Sequence, residues 1–174
     1  MMKKMIAALL TAALLLSCAA LAETYRWKDD LTFEYDANAF EIAMDDHTDD
    51  EDLVILNFKN PEWGEGYVRI HLRDLEDGEA FPTKADFAEV EKGLNTEVTQ
   101  GDWAGYKDVF MYSVDDGDSL EGTFIAPIYD NDDKEIEDIL TVRISVTKID
   151  DEEAAMDRDD HISDIVDTLK VLDD

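Results

Sequence analysis

Alternation of apolar and polar residues dominates the middle of the chain and predicts a sheet. From Leu53 to Lys59 every second residue is apolar, and the same period returns from Tyr67 to Arg73 with Val68, Ile70 and Leu72 on one face. The segment between them contains Asn60-Pro61 and Gly64-Glu65-Gly66, which is typical of a loop. The two runs are therefore predicted to form a hairpin.

Shorter extended runs on both sides of this hairpin predict further strands. They span Leu31 to Tyr35, Phe40 to Met44, Tyr106 to Val114, Gly122 to Tyr129 and Ile139 to Ile149. Asp115 to Ser119 reads as a turn and Asp130 to Asp138 as a loop. Pro127 has no amide hydrogen for a ladder, so its strand is expected to lie at an edge or to bend there.

Two segments have helical spacing instead. Thr83 is expected to cap a helix that runs to about Asn95, with Phe87, Val90 and Leu94 on one face. Near the C-terminus a second amphipathic helix is predicted from Ile162, Ile165, Val166 and Leu169. The expected fold class is α+β, a single antiparallel β-sheet flanked by two helices.

The first 22 residues have the pattern of an export signal. Lys3 and Lys4 precede an apolar run at 5–16 that is too short to span a bilayer, and Ala20-Leu21-Ala22 has the small-x-small form of a cleavage site. Residues 23–174 are then one extracytoplasmic, secreted domain. Two alternatives stay open: Leu15-Leu16-Ser17-Cys18 resembles a lipobox, which would leave the protein lipid-anchored through Cys18, and the leader could persist as an uncleaved anchor.

Acidic residues outnumber basic ones 45 to 15 in the whole chain. Removal of the leader takes away two lysines and no acid, which changes the net charge from −30 to −32. Such a charge repels nucleic-acid phosphates and anionic lipid, so neither is an expected partner. Cys18 is the single cysteine, so the cleaved domain has no disulfide and no thiol chemistry.

The order of elements resembles the PsbP-like family of exported bacterial proteins. The resemblance rests on the strand pair around Tyr35 and Phe40, the central hairpin, the helix near 83–95, the turn Gly101-Asp102-Trp103-Ala104-Gly105 and the closing helix that ends at Thr168-Leu169-Lys170. It implies an α/β/α sandwich with a binding or scaffolding role. No residue matches a metal or partner motif of that family.

Signs of catalysis are weak in this sequence. His47 and His161 lie in acidic surroundings, and no serine lies in a Gly-x-Ser-x-Gly turn. Paired carboxylates are too numerous for any one pair to indicate a glycosidase. The protein is expected to be a non-catalytic binding module for an unknown protein or small ligand, with an uncharacterised hydrolase as one alternative.

Cation binding is the other alternative. Hard oxygen ligands that suit Ca²⁺ are dense in the run 45–52 and in two further loops, as Asp115, Asp116 and Asp118 and as Asp130, Asp132 and Asp133. None of these runs has the spacing of an EF-hand loop. Acidic loops on an acidic protein are usually solvated turns, which is the other explanation of the same residues.

One predicted strand face carries positive charge in this acidic chain. Tyr67, Arg69, His71 and Arg73 share the outward face of their strand, and Lys59 and Arg143 are expected to join them. These cations either neutralise carboxylates on neighbouring strands or form a shallow site for an anionic ligand or acidic peptide. The aromatic residues Trp63, Tyr67, Trp103 and Tyr106 are expected either in an exposed contact patch or as caps on the core.

Overall fold

The computed structural model describes residues 22–28, 30–48, 51–76, 78–130 and 135–172. Cys18 and the first two residues of the expected cleavage motif, Ala20 and Leu21, therefore lie outside the described residues, whereas Ala22 and Glu23 on either side of the expected cut are described. The strands of the described chain are β1 (Ala22–Trp27), β2 (Leu31–Asp36), β3 (Phe40–His47), β4 (Glu51–Phe58), β5 (Gly66–Asp74), β6 (Thr99–Trp103), β7 (Tyr106–Asp115), β8 (Ser119–Tyr129), β9 (Ile136–Thr147) and β10 (Lys170–Val171). The helices are α1 (Ala88–Leu94) and α2 (Glu152–Thr168), with 3₁₀ turns at Pro61–Trp63 and Lys84–Phe87.

These strands form two antiparallel sheets. The small sheet has the order β1-β2-β10, and the large sheet has the order β3-β4-β5-β9-β8-β7-β6. The predicted hairpin of β4 and β5 lies inside the large sheet with Val54 opposite Ile70. Strand β9 then pairs with β5 and places Ile70 opposite Val142.

The expected single sheet flanked by two helices is wrong, because most of the described chain is strand and divides into two sheets. Strands β2 and β3 were expected to pair, yet β2 pairs with β1 and β10 while β3 pairs with β4. The chain turns a corner at Asp36, whose carbonyl accepts from the Ala39 amide at 2.9 Å. Leu31 and Phe33 then face Phe40 across one core instead of lying beside it, so both strands bury their apolar sides.

The main core lies between the sheets. We call the side of the large sheet that faces the small sheet and α2 its inner face, and the opposite side its outer face. Val54, Leu56, Val68 and Ile70 are fully buried on the inner face. A second, smaller core on the outer face joins Phe110 of β7 to Phe87 and Val98, on either side of α1.

Local sequence signals explain where the helices begin. The Asp151 carboxylate accepts from the amides of Glu153 and Ala154 at 3.0 and 3.1 Å and so caps α2. Thr83 and Asp86 form a capping box at the turn that leads into α1. Pro127 lies past Ile125, where the register of β7 and β8 ends, so at this position β8 pairs with β9 alone. Among the described residues, no helix is long and apolar enough to cross a membrane.

Candidate functional site

Four of the five predicted cations meet on the outer face. Arg69 lies directly opposite Arg143 in the ladder of β5 and β9. Arg73 forms a two-pronged ion pair with Glu79 at 2.6 and 2.9 Å. This ion pair lowers the pKa of the Glu79 carboxyl to about 2.

His71, Arg143 and Lys59 are also close to acceptors, and Arg69 is the exception. His71 Nε2 is 3.1 Å from Glu51 Oε2, and Arg143 Nε is 3.4 Å from Glu121 Oε1. Lys59 lies apart from this face, because its Nζ donates to the Ala37 carbonyl at 2.8 Å. Within the described chain no hydrogen bond or ion pair engages the Arg69 guanidinium. The outer-face cations thus serve chiefly to neutralise acids on adjacent segments.

The acidic loop after β7 uses its carboxylates to hold its own turn. Asp115 Oδ1 accepts from Lys148 Nζ at 2.5 Å and from the Gly117 amide at 2.9 Å, and these donors lower its pKa. Asp116 accepts from the Ser119 amide and hydroxyl at 2.7 and 3.0 Å, which likewise lowers its pKa. Asp118 donates its amide to Asp116 at 3.1 Å. These oxygens are already engaged in ordering the turn.

The second predicted calcium loop is only partly described. Asp130 Oδ1 accepts from the Glu135 amide at 3.4 Å, while Asp132 and Asp133 lie outside the described residues. Across the part of the chain that the structure describes, no group of three or more metal-ligating side chains is arranged to hold an ion. The predicted Ca²⁺ site therefore has no assembled ligand set in those residues.

An acidic cleft that the sequence did not indicate lies at one end of β5 and β9. Its volume is about 170 Å³, and acids from four segments line it: Asp30, Glu51, Asp52, Asp74 and Asp138. Burial, followed by the neighbouring Asp74 carboxylate, raises the pKa of Asp138 to about 6. This cleft forms only when the chain folds, because Asp74 and Asp138 are distant in sequence. They lie opposite each other in the ladder of β5 and β9.

His47 lies beside this cleft and joins the two sheets. Its Nδ1 is 2.7 Å from Asp52 Oδ1 and its Nε2 is 2.5 Å from Asp45 Oδ1, all within the large sheet. From β1 of the small sheet, the Trp27 ring stacks on the imidazole with centroids 3.5 Å apart and planes 5° apart. Tyr25 of the same strand brings its hydroxyl to 2.8 Å from Nε2.

The carboxylates, the His47 imidazole and the Tyr25 hydroxyl are the kinds of group found in a catalytic triad, but their geometry differs from that of a triad. A carboxylate, an imidazole and a hydroxyl in sequence can activate the hydroxyl as a nucleophile. Here the same Asp45 oxygen accepts from the Tyr25 hydroxyl at 2.6 Å and also lies next to Nε2 of His47, so the three groups do not form a linear series. Burial and Asp45 raise the pKa of Tyr25 well above its usual range, so the phenol stays protonated. This cluster is a structural junction between sheets.

An apolar groove is the feature best suited to hold a ligand. It has a volume of about 370 Å³ and lies between α2 and the inner face of β7, β8 and β9. Its apolar lining comes from Leu120, Gly122, Phe124, Ile144, Val146 and Ile162. Leu120 is 40% exposed there, although it lies on the inner face of the sheet.

The groove exists because the second layer does not cover the whole inner face. Helix α2 packs against β2 and the 3₁₀ turn Pro61–Trp63, which leaves the inner side of β7 and β8 beyond its reach. Gly122 contributes no side chain, and a Cβ there would lie 3.3 Å from the Phe124 ring. The polar residues on its rim are Ser113, Arg158, Asp159 and Ser163.

The aromatic residues proposed for a contact patch mostly act as caps on the core. Trp63 is buried and its indole Nε1 donates to Asp157 Oδ2 at 3.0 Å. Trp103 stacks on Phe124 with ring centroids 4.1 Å apart. Tyr106 donates its hydroxyl to the Leu169 carbonyl at 3.3 Å. Sequence reasoning missed the groove, because alternation shows which residues turn inward but not which of them a second layer covers.

Comparison with protein-family models, curated protein sequences and solved structures finds no match. The resemblance to the PsbP-like family accordingly stays a prediction.

Proposed function

We propose that this protein is an exported, non-catalytic binding module, and that the groove beside α2 takes the apolar part of its ligand. The observation that carries the proposal is an open apolar groove of about 370 Å³ on a chain of net charge −30. Small-molecule sites are concave, mostly apolar and roughly 300–1,000 Å³ in volume. Leu120, which is 40% exposed, is continuous with the other apolar side chains of the groove, and contiguous exposed apolar surface is typical of binding sites.

The state of the histidines supports a non-catalytic role. His47 lies between two carboxylates, and His71 is bonded to Glu51. His161 Nδ1 is 2.8 Å from the Asp157 carbonyl, and its Nε2 is 3.5 Å from Asp36 Oδ2. A general base needs a free nitrogen within hydrogen-bond reach of a substrate, and these contacts engage both nitrogens of His47 and His161 and the Nε2 of His71.

The proposed extracytoplasmic location rests on the leader pattern of residues 1–22. The resemblance to the PsbP-like family also favours a binding role. The net charge disfavours nucleic acid and anionic membrane surfaces as partners.

A neutral polarity-sensitive dye such as Nile red tests the proposal, because its binding does not depend on the charge of the protein. We expect a saturable rise in fluorescence with the purified protein. Leu120→Ser should weaken dye binding by about threefold to tenfold, since part of a leucine contact is lost. Gly122→Val should weaken it further by filling the floor of the groove.

Met156→Ser is the matched control, because Met156 is 68% exposed on α2 and does not line the groove. It should leave dye binding unchanged. Equal losses in Leu120→Ser and Met156→Ser, or no saturable binding at all, would contradict the proposal.

A further inference from the structure

Arg158 is a buried cation on the wall of the groove. It is only 6% exposed, and it projects from the side of α2 that faces the sheet. Its Nη1 donates to the carbonyls of Thr147 at 3.0 Å and Trp63 at 3.4 Å. Since Thr147 directly follows Val146 in β9, the guanidinium lies at the end of the groove that Leu120 and Val146 form.

The hydrogen bonds of Arg158 leave one donor group unused. Nε donates to Asp159 Oδ1 at 3.0 Å and Nη1 to the two carbonyls, whereas Nη2 has no acceptor among the described residues. Among those residues, Trp27 Nε1 is the only fully buried polar side-chain atom without a partner, so Nη2 remains accessible. Buried guanidinium groups normally satisfy their five N–H donors with protein or water acceptors, so the accessible Nη2 is a donor that an acceptor from outside the chain can engage.

We propose that the ligand of the groove is a small amphiphilic carboxylic acid, with its apolar chain along Leu120, Phe124 and Ile144 and its carboxylate on Nη2 of Arg158. This inference rests on the proposed function and names the ligand class for the same site. A hydrogen bond between a guanidinium and a carboxylate is about twice as strong as one between neutral groups. It forms in a partly desolvated position, where electrostatic attraction is weakly screened.

The negative charge of the protein opposes an anionic ligand, but mostly from a distance. At physiological ionic strength the Debye length is about 8 Å, so acids farther away are largely screened. The nearest acid is Asp159, which accepts from Nε and is 64% exposed to water. The local contact with Nη2 is therefore expected to outweigh the long-range repulsion.

The size of the groove favours a small molecule over a protein partner. Its volume of about 370 Å³ lies at the lower end of the range for small-molecule sites. A stable protein interface buries roughly 800 Å² on each partner, which requires a much wider apolar surface.

A series of ligands with one chain length and different head groups tests the proposal on the unmodified protein. Decanoate, decanol and decylammonium are titrated against bound Nile red at about 0.15 M salt. We expect decanoate to displace the dye at a concentration about fivefold to tenfold lower than decanol, and decylammonium to be the weakest. Acetate, which has no apolar chain, should not displace it.

The opposite order, with decylammonium strongest, would show that net charge selects the ligand and would overturn this inference. Equal displacement by all three would overturn it as well. Either result leaves the proposed function intact, because the dye still binds in the groove. Failure of the dye to bind would reject the proposed function first.

Two substitutions distinguish the effect of the local contact between decanoate and Nη2 of Arg158 from the effect of the overall charge of the protein. Asp159→Asn keeps an acceptor for Nε but removes the nearest negative charge, so decanoate should bind about threefold more tightly while decanol is unchanged. Asp160→Asn makes the same charge change on the adjacent residue, which does not line the groove, and should have a smaller effect. Equal effects of the two variants would argue against a local carboxylate site.

Arg158→Lys gives a second test, because lysine keeps the charge and lacks the forked donor. The preference for decanoate over decanol should fall while dye binding persists. An unchanged preference in a folded Arg158→Lys variant would overturn the role of Nη2. If this variant does not fold, the head-group series and the pair at 159 and 160 decide the question.

Discussion

Individual side chains in this protein differ greatly in their contribution to stability because their surroundings differ. The His47 side chain is 5% exposed and bridges Asp45 and Asp52, whereas His71 contacts a single exposed acid on the outer face. The stacked Trp27 ring and the Tyr25 hydroxyl, both from β1, make His47 a junction between the sheets.

We expect His47→Ala to lower the free energy of unfolding by about 2–4 kcal/mol, since it leaves the buried Asp52 carboxylate without its donor. His71→Ala should cost less than about 1 kcal/mol, as is typical of exposed ion pairs. Urea midpoints at pH 7 measure both. If the two substitutions cost the same, His47 does not join the sheets as described.

Asp138 should make stability depend on pH in the acidic cleft. Its pKa is about 6 in the folded protein, above the ordinary value of 3.8, because of burial and Asp74. The folded state therefore binds the proton more tightly, and the resulting stability is full below about pH 4 and is lost as the pH rises through 6. Asp138→Asn should remove this dependence and stabilise the protein at pH 7 by about 1 kcal/mol, a value reduced for the remaining contact with water.

Urea midpoints of wild type and Asp138→Asn between pH 4 and pH 7 check this, with Asp160→Asn as a control for loss of one negative charge. The Asp138→Asn benefit should grow with pH across that range. A benefit that is constant with pH, or the same in both variants, would contradict the raised pKa.

At the scale of elements, two glycines show where packing constrains a strand and where it leaves a helix free. Gly66 lies in β5 opposite Val146, and a Cβ there would come within 2.3 Å of the Ser145 carbonyl oxygen and 2.4 Å of the Phe58 ring. Gly93 lies in α1, and a Cβ there would meet no atom within 4 Å. The same substitution should therefore have opposite effects.

Gly66→Ala should destabilise the protein by about 1–3 kcal/mol or more, because the backbone of β9 must move. Gly93→Ala should stabilise it by about 0.5–1 kcal/mol, since alanine favours the helix and loses less backbone entropy. Thermal or urea unfolding of both variants measures the difference. A neutral Gly66→Ala would show that β5 and β9 are less closely packed than described.

For the molecule as a whole, the excess of negative charge is the main property that opposes folding beyond chain entropy. The 45 acids outnumber the 15 basic residues threefold, so most carboxylates lack a basic partner. At about 10 mM salt the Debye length is roughly 30 Å, comparable to the size of the domain, and at 0.15 M it is about 8 Å. Mutual repulsion therefore acts across the whole folded domain at low salt and only between neighbours at higher salt.

Stability should rise as NaCl increases from about 10 mM to about 0.5 M, because unfolding separates the charges and repulsion favours the unfolded chain most at low salt. Urea midpoints at pH 7 across this series give the result. A midpoint that stays flat or falls would mean that bound cations or ion pairs already neutralise the carboxylates.

The sequence by itself determined the local elements of this protein. The period of two placed Val68, Ile70 and Leu72 on one face of β5, and the structure buries all three. Helical spacing located α2 through Ile162, Ile165 and Val166, which face the core. Such patterns are readable because the backbone geometry of a strand or helix dictates which side chains share a face.

Only the tertiary structure decided which apolar faces meet. It separated β2 from β3 into different sheets, added the unpredicted strands β6 and β10, and brought Asp74 beside Asp138. It also left Leu120 uncovered while it covered Val68, although both lie on the inner face of the large sheet. Pairing between distant strands and the reach of α2 depend on contacts far apart in sequence, and local periodicity holds no information about them.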